Sequence, residues 1–210
     1  MKKYFELVSN YEKVDGVISA RLSDFSKIRN KEDVFYELCF CLLTPQSNAK
    51  KCDDAISILK RKNLYNSNMG LNEIKNILRT RTRFHNNKAK YVKNLREVFE
   101  KMWDEFDFVN KSSNSVEIRE WIVKNVKGIG LKEASHFLRN VGFRNLAILD
   151  RHILRNLGRL GAINEDFKGL TKNKYFIIEK NFINLSKKIG IEMDNLDLYF
   201  WYSETGEVFK

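Results

Sequence analysis

Tyr175, Ile178, Phe182, Leu185 and Ile189 follow one another at intervals of 3, 4, 3 and 4 residues. That spacing lays apolar side chains along one face of an α-helix. Similar spacing recurs along almost the whole chain, and no segment sustains the alternation of a half-buried strand. The chain is therefore predicted to be all-α. Val34, Phe35, Leu38 and Leu42 share one face of a helix over 33–43. It must stop near the only proline, Pro45, because the residue before a proline disfavours the α region. A helix from about Ser47 points Ala49, Cys52, Ala55, Ile56 and Leu59 inward, and Leu71, Ile74 and Leu78 mark a short one. Tyr91, Val92, Leu95, Val98, Phe99, Met102 and Trp103 form a strong stripe over 87–104. Ile153, Leu154 and Leu157 form a short helix after Asp150, and Gly190 is a stop for the long helix that precedes it. Asp194 is expected to cap a last helix ending near Tyr202, and the polar segment 107–115 reads as a loop.

The chain has 210 residues and a formal charge of +11, enough length for one core or two small ones. So basic a balance favours a polyanionic partner, above all nucleic acid, although a thermophile's lysine-rich surface gives a similar composition. Cys39, Cys41 and Cys52 offer no secreted disulfide framework and no CxxC pair, and read as buried free thiols. His85, His136 and His152 show no metal-ligand spacing, so no metal is expected. The N-terminus lacks the apolar run of a signal peptide, and no window is apolar enough for a membrane span. An intracellular protein with no membrane partner is expected.

The stretch "VKGIGLKEA" carries the first functional signal. Ile118, Ile122 and Val126 make one helical stripe, Gly128-Ile129-Gly130 a tight turn, and Ala134, Phe137 and Leu138 a second stripe. This is the pattern of a helix-hairpin-helix. The glycines permit unusual backbone angles and a close approach, and Ile129 packs inward to pin the turn. Amides of the turn and of the following helix start, at Gly128, Gly130 and Lys132, are then candidates for a DNA phosphate. An ordinary helix–turn–helix connection with a glycine stop is the alternative. Lys132 falls in the first turn of the second helix, where the macrodipole disfavours an ammonium. It is a candidate nucleophile, or else a surface lysine in a lysine-rich chain.

In "LAILDRHILR" the apolar run Leu146–Leu149 delivers Asp150 to the start of a helix. A plain N-cap role is one reading. The other is a carboxylate held at the floor of a cleft, within reach of a lysine eighteen residues earlier.

Together, "VKGIGLKEASHFLRNVGF" and "LDRHILR" resemble the helix-hairpin-helix DNA glycosylases. "CLLTPQSNAKKC" and "RTRFHNNKAKYVKNL" resemble two further segments of that superfamily, so that the likeness spans about residues 30–160. The tail "DLYFWYSETGEVFK" resembles that of the archaeal-type, or type 2, 8-oxoguanine DNA glycosylase/AP lyases. The endonuclease III branch carries four C-terminal cysteines for an iron–sulfur cluster, which this chain lacks; "LAIL" departs from the common Gly/Pro loop but suits the type 2 group.

The resemblance implies two helical subdomains with an active-site cleft between them, one over 30–140 holding the hairpin and one joining 1–29 with 141–210. It implies Lys132 as the nucleophile and Asp150 as its partner, which takes the ammonium proton and stabilises positive charge on the sugar. It further implies a base pocket drawing on the Pro45 carbonyl and on the terminal carboxylate of Lys210, unless the terminus is frayed; Phe84 and Trp201 are stacking faces or else ordinary core aromatics, and Gln46 fills the gap left by the flipped base or else bonds nearby backbone. Lys88 and Lys90 add charge for phosphates or else form a solvated face. No cofactor is implied. The expected partner is double-stranded DNA containing oxidised guanine, met by a monomer that is cytoplasmic and nucleoid-associated. The rivals are a related glycosylase for another lesion, such as an oxidised pyrimidine, and a non-catalytic hairpin module that only grips DNA.

Overall fold

In the computed structural model, residues 2–28, 30–164 and 170–210 are described. Among them lie eleven helices and no strand. The chain divides into two compact units, one formed by 1–27 with 138–210 and the other by 28–137. No helix among the described residues is long and apolar enough to cross a membrane.

The 28–137 unit contains α3 (Lys31–Leu43), α4 (Ala49–Arg61), α5 (Leu71–Leu78), α6 (His85–Glu105), α7 (Ser115–Asn125) and the start of α8 (Leu131–Asn140). Its centre is α3, which packs against α4 and α6. Every residue from Val34 to Leu43 is buried. The sequence pattern suggests a one-sided helix; neighbours on more than one side bury it all round from Val34 onward, Glu37 included. Phe35 and Phe99 meet edge to face, and Trp103 stacks on Phe108 with ring centroids 5.6 Å apart. All three cysteines are buried and none is in a disulfide. Burial raises the thiols of Cys39 and Cys52, which makes them inert packing groups.

Side-chain caps start several helices. Asn30, Asn48 and Asn114 accept from Asp33 N, Lys51 N and Val116 N at the starts of α3, α4 and α7. The end of α3 bears on the site. The helix stops at Leu43 ahead of Pro45, yet Thr44 keeps helical angles, φ −70° and ψ −28°. Its hydroxyl donates to Cys41 O at 2.9 Å and its amide to Phe40 O at 3.1 Å. These bonds hold it against the preference of a pre-proline residue for extended backbone.

The other unit contains α1 (Lys2–Glu12), α2 (Asp15–Lys27), the end of α8 from Leu138, α9 (Arg151–Arg159), α10 (Lys172–Ile189) and α11 (Met193–Thr205). Here α11 is central and packs against α2, α9 and α10. Thr171 caps α10, and Gly190, at φ +79°, ends it. The buried face of α10 holds Tyr175, Glu179, Phe182, Leu185 and Ser186, with Ile178 and Ile189 half-buried beside it. Two sequence expectations for α11 need correction. Glu192 precedes the helix as its cap residue, Asp194 lies inside the first turn, and the helix runs on to Thr205. Asp194 is drawn away from capping because its carboxylate accepts from Asn145 N at 3.1 Å.

Candidate active site

The hairpin is built from α7, a turn over 126–129 and α8. Ile129 N donates to Val126 O at 3.3 Å to close the turn, and Ile129 is buried as expected. Gly128 sits at φ +95°, which the third position of such a turn requires. A Cβ there would also lie 2.5 Å from the Tyr91 ring. Gly130 differs: its φ is not in the left-handed region, and a Cβ would meet only the Glu133 carboxylate at 3.5 Å. Only the first glycine is dictated by backbone and space. Gly128→Ala is therefore expected to cost about 3 kcal/mol through backbone strain and collision with Tyr91, whereas Gly130→Ala costs less than about 1 kcal/mol. Urea unfolding of the two variants measures the difference, and equal losses would contradict it. Behind the turn, fully buried Arg119 donates from Nη1 to Ser135 Oγ at 3.2 Å and ties α7 to α8.

Lys132 is the second residue of α8. The first bond of that helix runs from Ala134 N to Gly130 O at 2.9 Å. The amides of 130–133 precede it, and they form the positive end of the helix. The Lys132 side chain is 34% exposed, and its Nζ lies 3.0 Å from Oε1 of Glu133.

Asp150 belongs to the other unit, at the N-cap of α9 with ψ 179°. Its Oδ1 accepts from His152 N at 2.7 Å and Ile153 N at 2.9 Å. One oxygen thus satisfies the helix start. The approach is held by α10: Ala147 N donates to Glu179 Oε1 at 2.8 Å, and Tyr175 Oη donates to Ala147 O at 2.5 Å. Both backbone groups of a buried, non-repetitive segment are thereby satisfied. Below lies Asp197, paired with buried Arg139 at 3.0 Å. Burial pushes the Asp197 carboxyl up to about 7; Arg139 opposes this, and the negative charges of Asp150 and Asp194 add to it. Trp201, half-buried one turn after Asp197, meets the His152 ring edge to face at 5.1 Å. His152 Nδ1 is 3.7 Å from Glu204, which also holds Arg155 and Arg159. Lys210 is half-buried.

The remaining sequence candidates lie in the 28–137 unit. Gln46 is exposed in the left-handed region at φ +54°. Phe84 is 54% exposed at φ +57°, with the Arg83 guanidinium 5.6 Å from its ring centre. It is no core aromatic. Lys90 is exposed on α6. Lys88 contradicts the phosphate role expected of it. It is 5% exposed, and its three N–H groups are spent on Leu43 O at 2.6 Å, Pro45 O at 2.8 Å and Ser47 Oγ at 2.9 Å. Burial pulls its amine down to about 8.

Sequence reasoning missed Ser47, Arg119, Glu133, Arg139, Glu179 and Asp197. A signal existed for Glu179, a charge one turn after Tyr175 on a largely apolar face; the others look like ordinary surface residues until the fold buries Arg119, Arg139 and Asp197 and half-buries Ser47 and Glu133.

Comparison with known proteins places this geometry. The family model described as 8-oxoguanine DNA glycosylase matches residues 18–191. A Fusobacterium nucleatum protein named 8-oxoguanine DNA glycosylase/AP lyase is 46% identical, with both chains covered in full. A Methanocaldococcus jannaschii protein of the same name is 36% identical over 99% of this chain and 98% of its own. Among solved structures, the M. jannaschii 8-oxoguanine glycosylase/lyase in complex with a 15mer DNA containing 8-oxoguanine superposes with a TM-score of 0.88 at 32% identity, covering 100% of both chains. The Thermotoga maritima 8-oxoguanine DNA glycosylase gives 0.87 at 33% identity, covering 100% of this chain and 99% of its own. A hairpin ending in a helix-start lysine, an aspartate capping α9 and a full-length match to these enzymes lead to one conclusion: the chain belongs to the 8-oxoguanine DNA glycosylase family.

Proposed function

We propose that this chain excises 8-oxoguanine from double-stranded DNA and then cleaves the strand as an AP lyase, with Lys132 as nucleophile and Asp150 as its proton acceptor. The observation that carries the reading is Lys132 at the second position of α8, directly after the Gly128–Gly130 turn. A lysine there stands beside amides suited to a phosphate, so one element grips the backbone and presents an amine to the sugar.

A stacked base is out of reach of a protein side chain, so the nucleotide is first flipped out, at a cost of a few kcal/mol offset by phosphate contacts and stacking. Asp150 takes the proton of the Lys132 ammonium, and the neutral Nζ attacks C1′. The glycosidic bond breaks with its electron pair leaving on the base. The sugar opens to a Schiff base on Lys132, loss of a C2′ proton follows, and the 3′ C–O bond breaks by β-elimination. Asp150 passes that proton on to the departing base, and its carboxylate, negative again, stabilises the cationic sugar. The hydrogen bonds of Oδ1 to the start of α9 hold that carboxylate in place.

Lesion choice follows from one atom. Guanine carries an acceptor at N7, while 8-oxoguanine carries a donor there. A carbonyl facing that position accepts from the lesion and repels the normal base, and each mismatched polar contact in a dry site costs about 1–3 kcal/mol. The Pro45 carbonyl is the proposed acceptor, with Trp201 and Phe84 as stacking surfaces, Gln46 as filler of the vacated gap and the Lys210 carboxylate as a further acceptor.

Duplexes carrying one lesion each test the proposal. Strand cleavage at 8-oxoguanine is expected to exceed cleavage at an oxidised pyrimidine by at least about tenfold. The reverse order would transfer the assignment to the pyrimidine lesion.

A further inference from the structure

Lys88 is a buried cation inside a set of exposed, strained loops. The helix α3 ends ahead of Pro45, and the carbonyls of a helix C-terminus have no intrahelical donors. Lys88, from the first turn of α6, supplies them. Its Nζ donates to Leu43 O and Pro45 O, and also to Ser47 Oγ. The same Ser47 oxygen accepts from Arg83 N at 2.9 Å and stands 3.3 Å from Pro45 O. One ammonium and one hydroxyl therefore join the segment 43–47 to the segment 83–88. On either side of this cluster stands an exposed non-glycine residue with left-handed backbone, Gln46 at φ +54° and Phe84 at φ +57°. Such conformations persist only where the surroundings over-determine them, and the cluster provides that determination at both.

We propose that Lys88 is a positioning residue for lesion recognition, which together with Ser47 aims the Pro45 carbonyl and holds Gln46 and Phe84 outward toward DNA. The inference rests on the glycosylase reading above. The carbonyl accepts a short bond from Lys88 and a long one from Ser47. The long one is the contact that a purine N7–H displaces, because a carbonyl oxygen has two lone pairs. Lys88 leaves the sugar chemistry to Lys132. Its effect falls on removal of the base, which needs the pocket, more than on cleavage at an abasic site, where no base has to be read.

The experiment compares single-turnover excision of 8-oxoguanine with strand cleavage at a preformed abasic site, using the full chain throughout. In Lys88→Met the ratio of excision to abasic cleavage is expected to fall at least about tenfold, and in Ser47→Ala about threefold. Leu95→Ala, a buried change on α6 away from the cluster, lowers stability but keeps the native ratio. A pH series separates positioning from mere packing. The groups facing the Lys88 amine are Cys52 of α4, Arg83 and Glu133 of α8. Deprotonating the amine removes one of its three donors, so the native ratio is expected to fall between about pH 7 and about pH 9 and the Lys88→Met ratio to stay flat. Should Lys88→Met not fold, Ser47→Ala and the native pH series decide. A native chain that excises 8-oxoguanine, with variants and pH leaving the ratio unchanged, overturns this inference alone. A native chain that cleaves neither duplex overturns the glycosylase reading and this inference with it.

Discussion

Lys132→Gln is expected to leave no covalent complex when the protein is mixed with 8-oxoguanine duplex and borohydride, while the native chain forms one. Borohydride reduces a Schiff base to a stable amine, so the trapped species reports the lysine–sugar bond itself. Glutamine has nearly the same length as far as its amide but no nucleophilic nitrogen. Base excision is expected to fall by roughly three orders of magnitude or more, the usual consequence of removing a nucleophile. Binding to the lesion duplex should weaken only a few-fold, because phosphate affinity is shared among many basic groups and helix-start amides. The Lys132–Glu133 pair that the substitution breaks is partly exposed at both partners, so stability should hardly change. Trapping that survives in Lys132→Gln would assign the Schiff base to another amine. No trapping with the native chain would favour a hairpin module that only grips DNA.

Asp150→Asn carries the second large effect, and its value lies in what it preserves. An asparagine Oδ1 accepts the same two bonds from His152 N and Ile153 N that Asp150 accepts, and asparagine caps helices as well as aspartate does. The fold should lose less than about 1 kcal/mol. The amide cannot take a proton from Lys132 and carries no charge to stabilise the cationic sugar. Excision is expected to fall by about 10²- to 10⁴-fold. Asp150→Ala adds the loss of both cap bonds, about 1 kcal/mol of stability, and the gap between the two variants in thermal unfolding isolates the capping role. Native-level excision by the folded Asn variant would reduce Asp150 to a helix cap. The charge of Asp150 also reaches Asp197, where it helps to raise the carboxyl. Removing it should bring Asp197 down, a shift readable by NMR titration of the carboxyl in the folded variant.

Helix identity was legible because it depends on local spacing. The amphipathic stripe of α6, the glycine stop of α10 and the aspartate start of α9 are written in residues three or four apart. The same locality marked Lys132 and Asp150 as helix-start residues, since a glycine turn and a polar cap are short-range devices. Exposure was less legible. The apolar ring of Phe84 suggested a core position, but left-handed backbone at the start of α6 turns it outward. The charged chain of Lys88 suggested solvent, but three acceptors from the end of α3 and the following turn draw it inside.

By itself, then, the sequence determined the helices from α3 onward, most of their starts and stops, the hairpin turn and the residue types at its exit, because these follow from backbone preferences and side-chain period within a few residues. Only the tertiary structure decided which charges are buried: Lys88 beneath the Pro45 turn, Arg119 across the hairpin, Arg139 against Asp197 and Glu179 under the approach to Asp150. The physical reason is that a buried polar group is stabilised only by partners that complete its hydrogen bonds. Those partners stand 16 to 58 residues away along the chain, beyond what any local pattern encodes.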